Sequence, residues 1–388
     1  MVRKDIGIFF DQLLVHLQES DSLGDLRTVF KTLLRLGGRN SKKTSALRPL
    51  PMLRKPDGSL TTTFSERQGV WMEQFAAIEA GMTMPMQELA NLNLQPHDHP
   101  LDLQEPSSFP TVWDIQQGLR RLKRGRAPGP NGLPPALLKA GGEVFARQFL
   151  TLTTKCAAHS HEPLSWKGGR LFPLHKGKMH PADPLGYRSI FVSDFTAKLY
   201  HMTMRKPLEV AWNRSLHSLQ FGGRKGQGTD MAHHTLQTFW HWTQARHMPS
   251  AIVFFDVRAA FYSVLREALF PGDGDIDALL RTLNTLGIQD EMARVVATSV
   301  DQDFALTGLS QHMITVLQHV MTNTHFYVEG IADPCRTRRG TRPGDPIGDI
   351  LFNMVMSCIL RDVKATMLAC TDLTWFGDPA PCADYMES

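Results

Sequence analysis

Residues 251–264 read Ala251-Ile252-Val253-Phe254-Phe255-Asp256-Val257-Arg258-Ala259-Ala260-Phe261-Tyr262-Ser263-Val264. Apolar residues rich in β-branched and aromatic types end in one carboxylate, and an alanine-rich turn into a helix follows. This pattern predicts a short buried strand with Asp256 at its end. Because a buried charge is costly unless it is paired or binds a metal, the carboxylate has few structural explanations. An N-cap and a salt-bridged acid are the alternatives to a functional carboxylate.

The composition is that of a globular chain. Its 388 residues are 42% hydrophobic and 21% charged, which allows two or three domains. No run of about 18 apolar residues occurs, so we expect no transmembrane helix, and the N-terminal segment lacks a signal-peptide core. The five cysteines never form a Cys-x-x-Cys pair. They predict reduced thiols in an intracellular protein, cytoplasmic or nuclear, with neither a zinc site nor a disulfide framework.

Positive charge is concentrated in one third of the chain. Residues 111–230 hold 19 Lys or Arg and 7 Asp or Glu, a net charge of +12, and the whole chain has +4, so the remainder carries −8. A basic segment beside an acidic remainder suggests a polyanion as the partner of that segment. A basic face that is merely solvated is the alternative.

The densest run of positive charge ends a predicted helix. Thr111 and Asp114 are suited to cap the start of this helix, and its basic end closes on glycine. Such an end suits contacts with phosphates. Favourable charge at a helix C-terminus would account for only two of the five cations. These are Arg120, Arg121, Lys123, Arg124 and Arg126.

Two hairpins and a long helix are predicted downstream. A strand over residues 166–174 turns through residues 175–178 and pairs with a strand that begins at Tyr187. A second hairpin turns at Glu329-Gly330, and a helix runs from Asp345 to about Met367. Residues 92–110 contain four prolines and are predicted to be a linker.

Four stretches resemble motifs of reverse transcriptases of the non-LTR (LINE-like) retrotransposon type. Residues 255–261 (Phe-Asp-Val-Arg-Ala-Ala-Phe) resemble the first catalytic palm motif, and residues 339–353 (Arg-Gly-Thr-Arg-Pro-Gly-Asp-Pro-Ile-Gly-Asp-Ile-Leu-Phe-Asn) resemble the next. Residues 126–132 (Arg-Ala-Pro-Gly-Pro-Asn-Gly) and 187–190 (Tyr-Arg-Ser-Ile) resemble fingers motifs. The four stretches follow the family's order between about residues 110 and 365, which makes the combined match specific.

The resemblance implies an RNA-directed DNA polymerase that uses an RNA template, a DNA primer and dNTP. In such enzymes two Mg²⁺ ions stabilise the attacking and leaving oxygens of nucleotidyl transfer. Asp256 would then be a catalytic residue and a metal ligand. Phe261 would be the bulky gate beneath the sugar, and Gly344 would let the backbone approach the template–primer pair.

The fingers residues implied by the resemblance are cations. Lys176 and Arg188 correspond to a lysine and an arginine that hold the incoming triphosphate, with Lys178 as an alternative to Lys176. A glycine-rich turn over residues 220–228 precedes the helix that leads to the predicted strand. Its two cations, Arg224 and Lys225, would contact nucleic acid.

The sequence departs from the family at three places. It has Asn131 where Asp is usual, and Pro343 where Gln is usual, which puts template positioning in doubt. Where the family has an Ala-Asp-Asp hairpin, this chain has Ala383-Asp384-Tyr385 after two prolines that argue against a strand. We therefore expect the chain to end before this motif, although Asp384 could be a degenerate catalytic aspartate. One carboxylate cannot hold two metals, so we expect this polypeptide to be inactive.

The expected fold is α+β, with the fingers and palm of a right-hand polymerase, an antiparallel palm sheet and no thumb. The expected divisions are a helical N-terminal region (1–91), a Pro-rich linker (92–110), fingers (111–250) and an incomplete palm (251–388). Two other functions stay open. One is a non-catalytic nucleic-acid-binding remnant of a retroelement, and the other is a group II intron maturase-like protein.

Overall fold

The computed structural model describes most of the chain from residue 52 onward. Residues 1–51 form one compact unit, of which only single positions are described, and residues 52–388 form a second. The described ranges of the second unit are 52–94, 109–123, 125–216, 219–224, 226–257, 259–270 and 308–370, with single positions between 280 and 294. Arg124, Lys225 and Asp384 lie outside the described residues.

The second unit is a mixture of helices and short strands, as predicted for an α+β protein. Its helices are α1 (Phe64–Glu79), α2 (Met86–Asn93), α3 (Val112–Arg121), α4 (Pro135–Ala158), α5 (Phe195–Ser215), α6 (Thr229–Ala245), α7 (Ala260–Ser263), α8 (Arg266–Leu269), α9 (Gln311–Met321) and α10 (Gly348–Cys370). Its strands are β1 (Met82–Thr83), β2 (Gly168–His175), β3 (Tyr187–Ser193), β4 (His325–Tyr327) and β5 (Cys335–Arg336). Among the described helices, none combines the length and the apolar character of a membrane span.

The five strands form one mixed sheet in the order β1-β5-β4-β2-β3. Strands β2 and β3 form the predicted antiparallel hairpin, and β4 and β5 form the second one. Strands β2 and β4 run parallel, so the prediction of an antiparallel sheet is wrong for this pair. Parallel neighbours need a long connection, and here the chain passes through helices between β3 and β4 before it returns to the sheet.

The predicted strand before Asp256 does not form in the structure. Residues 251–257 have no regular secondary structure, and Asp256 is exposed. Val253, Phe254 and Phe255 are 69%, 82% and 89% exposed. A strand forms when a neighbouring strand satisfies its backbone groups, and the described sheet pairs with no part of this segment. The prediction of a buried strand is therefore wrong.

The larger hydrophobic core lies among the helices. Helices α3, α4, α5, α9 and α10 all contribute buried side chains to it. Its most deeply buried members include Ile115, Leu199, Leu317 and Leu351, each with no exposed surface. This core supports the sheet edge that carries β2 and β3, because Trp166, just before β2, belongs to it as well.

A second core joins α1 to the sheet. The Trp71 ring lies edge-on to that of Tyr187 at 4.8 Å, and the Phe75 ring lies edge-on to that of Phe326 at 6.4 Å. The side chains of Trp71 and Phe75 are almost fully buried. Helix α1 therefore packs on the same sheet that carries the predicted fingers hairpin.

Helix α3 begins where its capping residues predict. The Thr111 hydroxyl accepts a hydrogen bond from the Asp114 backbone N–H at 3.2 Å, and the Asp114 carboxylate accepts one from the Thr111 N–H at 3.0 Å. This reciprocal pair is a capping box, and it satisfies two backbone donors at the helix start. The prediction of these two capping residues is confirmed.

Candidate functional site

The β2–β3 hairpin holds the two predicted triphosphate ligands. Arg188 lies opposite Leu174, and the Lys176 N–H donates to the Gly186 carbonyl at 2.8 Å just beyond the ladder. Lys176 is the first residue after β2, and Arg188 is the second residue of β3. Both cations therefore lie at the turn end of the hairpin.

The two cations differ in their surroundings. The Lys176 ammonium donates to the Leu185 carbonyl at 3.0 Å, whereas Arg188 is exposed on the open face of β3. That face also carries Phe172 and Ile190, which are 41% and 42% exposed. Lys178 is exposed in the hairpin turn. The open face of the hairpin thus combines apolar surface with the exposed guanidinium of Arg188.

Tyr262, next to the predicted palm motif, is hydrogen-bonded to β3, and Phe261 packs against α10. The Ser189 hydroxyl donates to the Tyr262 hydroxyl oxygen at 2.6 Å, and the Tyr262 hydroxyl donates to the Ser189 carbonyl at 3.2 Å. Burial raises the pKa of Tyr262 to about 12, so the phenol keeps its proton and remains a donor. The Phe261 ring is half-buried and lies 4.6 Å from the Phe352 ring of α10.

The turn that carries Gly344 packs against both of these elements. The Thr341 N–H donates to the Phe261 carbonyl at 2.8 Å, and the Gly340 N–H donates to the Val264 carbonyl at 2.8 Å. Gly344 has φ +97°, a conformation that favours glycine, and a Cβ there would lie 3.2 Å from the Phe191 carbonyl oxygen. The structure thus brings Tyr262 and the Gly344 turn against β3. Arg188 lies on the other, open face of this strand, because successive side chains alternate between faces and Ser189 faces Tyr262.

Arg266 stabilises the turn that carries Gly344 through hydrogen bonds. The Arg266 guanidinium donates to main-chain carbonyls and to hydroxyls from two segments, residues 321–324 and 337–340. Its partners are the carbonyls of Gly340, Met321, Thr337 and Arg339 and the hydroxyls of Thr324 and Thr337, all at 2.7–3.1 Å. A planar fork with five donors can satisfy so many acceptors at once, and a lysine cannot.

A buried charged network packs against the turn that carries Gly344, and no sequence pattern predicted it. His201 of α5 contacts Asp345 through Nδ1 at 2.7 Å and Glu162 through Nε2 at 2.9 Å. Burial lowers the pKa of His201, but the two carboxylates outweigh this effect and raise it to about 9. Burial raises the pKa of Asp345, and the charges of His201 and Arg342 outweigh that and lower it to about 2. The partners of His201 are 39 and 144 positions away in the chain, so no local motif connects them.

The turn over residues 126–132, which follows the basic end of α3, contacts the start of α5. The Asn131 N–H donates to the Asp194 carboxylate at 3.0 Å, and a Cβ at Gly129 would meet the Asp194 side chain and backbone within 2.6 Å. The Asn131 side chain accepts from the Leu133 N–H at 2.9 Å, a role that a carboxylate can also fill. The change from the family's Asp to Asn131 therefore preserves the turn.

The predicted nucleic-acid ligands fall into an exposed group and a packed one. Arg120, Arg121, Lys123 and Arg126 are all exposed at the end of α3 and just after it. Arg224, in the glycine-rich turn, is half-buried and donates to the Gln220 carbonyl at 3.4 Å. The first group can reach a phosphate backbone directly.

The described residues do not form a two-metal centre. In the described part of the chain, no group of three or more His, Cys, Asp or Glu side chains could hold a metal ion. Asp256 is exposed on an irregular segment, and Asp384 lies outside the described residues. Mg²⁺ requires several oxygen ligands in near-octahedral geometry.

One known protein is similar to this chain over much of its length. A 254-residue part, 65% of the chain, is 25% identical to the "Retrovirus-related Pol polyprotein from type-1 retrotransposable element R2" of Popillia japonica. The matched part spans 30% of that polyprotein. No protein-family model matches the chain. The similarity supports a relationship to retrotransposon proteins.

Proposed function

We propose that this chain is a reverse transcriptase-like protein of retrotransposon origin, which binds nucleic acid and dNTP. The observation that carries this proposal is the assembly around β3. Hydrogen bonds from Ser189 to Tyr262 and from Thr341 to Phe261 join three stretches that lie far apart in the chain. These stretches are the ones that resemble polymerase motifs.

The cations of the hairpin suit a triphosphate. Arg188 offers a planar fork for two phosphate oxygens, and Lys176 offers a point charge nearby. Both belong to the segment with a net charge of +12, which attracts polyanions from a distance. In the proposed complex, Lys176 and Arg188 neutralise the triphosphate, and the Gly344 turn lies beside the template–primer pair.

Nucleotidyl transfer by two Mg²⁺ ions belongs to the same proposal and needs more than the described residues provide. Asp256 would be one ligand, and it would have to become ordered beside a second carboxylate. Lys176 and Arg188 of the hairpin would bind the triphosphate irrespective of which residue supplies that carboxylate.

The alternative is a protein that binds nucleic acid without catalysis. The exposed, irregular segment around Asp256 favours it, because a catalytic carboxylate must be held rigidly. The two proposals share the basic surface and differ only at the metal centre. A maturase-like function has no separate support from the structure.

Nucleotide titration and primer extension test the proposals together. We expect a fluorescent dNTP to bind the wild-type chain, and Arg188→Ala to weaken it about tenfold because a bidentate phosphate contact is lost. Lys206→Ala, an exposed cation on α5, is the matched control and should bind normally. Primer extension on an RNA template that Asp256→Asn abolishes supports the polymerase, and DNA or RNA binding without extension supports the alternative. A chain that binds neither nucleotide nor nucleic acid refutes both.

A further inference from the structure

Helix α3 exposes a tryptophan beside its basic end. Trp113 is 60% exposed, although a ring of this size usually lies mostly inside a protein. The Arg120 guanidinium lies over its ring, 5.6 Å from the centroid. Trp113, Gln116 and Arg120 are spaced i, i+3 and i+7, so they form one stripe along the helix.

This stripe borders a cleft between α3 and α4. The cleft has a volume of about 360 Å³, within the range of pockets that take small organic groups. Helix α4 is interrupted at Gly142, a residue of the lining, where φ is 51° and a Cβ would meet nothing within 4 Å. The residues that line the cleft are Gln116, Leu119, Arg120, Lys139, Gly142 and Glu143.

The charges around the cleft are mainly positive. The Lys139 ammonium donates to the carbonyls of Arg120 and Leu122 at 3.1 and 2.6 Å, which fixes it at the end of α3. The one acid in the lining, Glu143, is paired with Arg147 at 2.6 Å. Arg121 and Lys123 continue the positive surface beyond the helix. A negatively charged strand can therefore approach without meeting an unpaired acid of the lining.

We propose that Trp113 and this cleft form a stacking site for unpaired bases of single-stranded nucleic acid, with the phosphates along the basic end of α3. The site rests on the nucleic-acid binding proposed above and specifies the form of its ligand. Every base has a π-face, so an exposed indole binds unpaired bases with little sequence preference. An arginine over the ring adds a charge that can contact a phosphate or a base plane.

Binding of a fluorescein-labelled 12-nucleotide dT strand tests the site. Trp113→Leu should raise Kd roughly tenfold, because one base loses its stacking partner. The dependence of Kd on salt should not change, because no phosphate contact is removed. Trp113→Phe keeps an aromatic face and should bind nearly as well as wild type. Trp240→Leu removes another exposed tryptophan, 41% exposed on α6, and should have no effect.

A strand of the same length without bases separates stacking from charge. Trp113→Leu and wild type should bind this abasic strand equally. If wild type binds dT with a steep salt dependence and Trp113→Leu binds it equally well, the stacking site is wrong and the proposed nucleic-acid binding stands. If wild type binds no strand even at low salt, both are wrong. Equal losses for Trp113→Leu and Trp240→Leu also overturn the site, since they indicate a general effect.

Discussion

Nδ1 of His201 lies 2.7 Å from Oδ2 of Asp345, with both side chains buried. This contact joins the middle of α5 to the residue that follows Gly344. The turn that carries Gly344 is therefore held on two sides, by the ion pair below it and by the Arg266 guanidinium behind it. The position of the turn depends on groups outside the polymerase-like motifs.

The His201 pair makes stability depend on pH. The pKa of His201 is about 9 in the folded chain and 6.5 as its ordinary value, so its stabilising effect is complete below pH 6.5. The effect is lost as pH rises through 9, and it amounts to about 3 kcal/mol at most. We expect the free energy of unfolding of wild type to exceed that of His201→Gln by an amount that shrinks between pH 6.5 and 9.

The difference between the two proteins is the quantity to measure, by urea unfolding at several pH values. Lys167 also titrates in this range, because burial lowers its pKa to about 7. Its charged form is unfavourable in the fold, so its contribution raises the free energy of unfolding as pH rises, opposite to that of His201. Because Lys167 and His201 share the partner Glu162, the comparison is made with Lys167→Met in both proteins, which removes this second titration. A gap that stays constant from pH 6 to 9.5 would show that His201 is not charged in the folded chain.

Gly129 should tolerate no side chain. Gly129→Ala places a methyl group within 2.6 Å of Asp194, so we expect a loss of about 1–3 kcal/mol in the free energy of unfolding. Gly69→Ala is the matched control, because Gly69 is in α1 with nothing within 4 Å of a Cβ. The control should gain about 0.5–1 kcal/mol from helix propensity. Similar effects at both positions would contradict the close contact between the 126–132 turn and Asp194.

Arg266→Lys should destabilise the chain strongly. Lysine keeps the charge but loses the fork that satisfies carbonyls and hydroxyls from two segments, so we expect a loss of about 2–4 kcal/mol. Arg188→Lys, on the open face of β3, should change stability by less than about 0.5 kcal/mol. Thermal unfolding of both variants is the measurement. A small effect at Arg266 would mean that the turn is held by other contacts.

Nucleic-acid binding should be steeply sensitive to salt. Each phosphate contact to a single strand contributes about −0.7 to the slope of log K against log salt concentration. Arg121→Gln should reduce the steepness by about one contact, because Arg121 is exposed at the end of α3. Lys206→Gln, on α5, should leave the slope unchanged. A flat salt dependence in the wild type would rule out phosphate contacts as the basis of binding.

Local patterns were enough to predict the elements that depend on nearby residues. The capping pair Thr111 and Asp114, the β2–β3 hairpin and the long helix α10 all lie where alternation, turn residues and helical spacing indicate. The α+β class follows from them. The right-hand arrangement of fingers and palm, and the division of the chain at residues 91, 110 and 250, remain predictions.

The strand before Asp256 shows where local patterns fail. Its residues have high β propensity, yet a strand exists only if another strand pairs with it, and that partner is a property of the whole fold. The sheet instead pairs β2 with β4, where Gly168 and its partner His325 are 157 positions apart, and leaves most of residues 251–257 exposed.

Composition and short-range spacing in the amino-acid sequence are enough to predict the α+β class, the basic middle third and the residues that resemble polymerase motifs. The contacts of Tyr262 and of the Gly344 turn with β3, the pairing of His201 with Asp345 and the exposure of Asp256 follow only from the tertiary structure. They depend on contacts between residues far apart in the chain, such as His201 and Asp345, which are 144 positions apart. Such contacts are fixed by packing and by the pairing of buried charges, which no window of neighbouring residues contains.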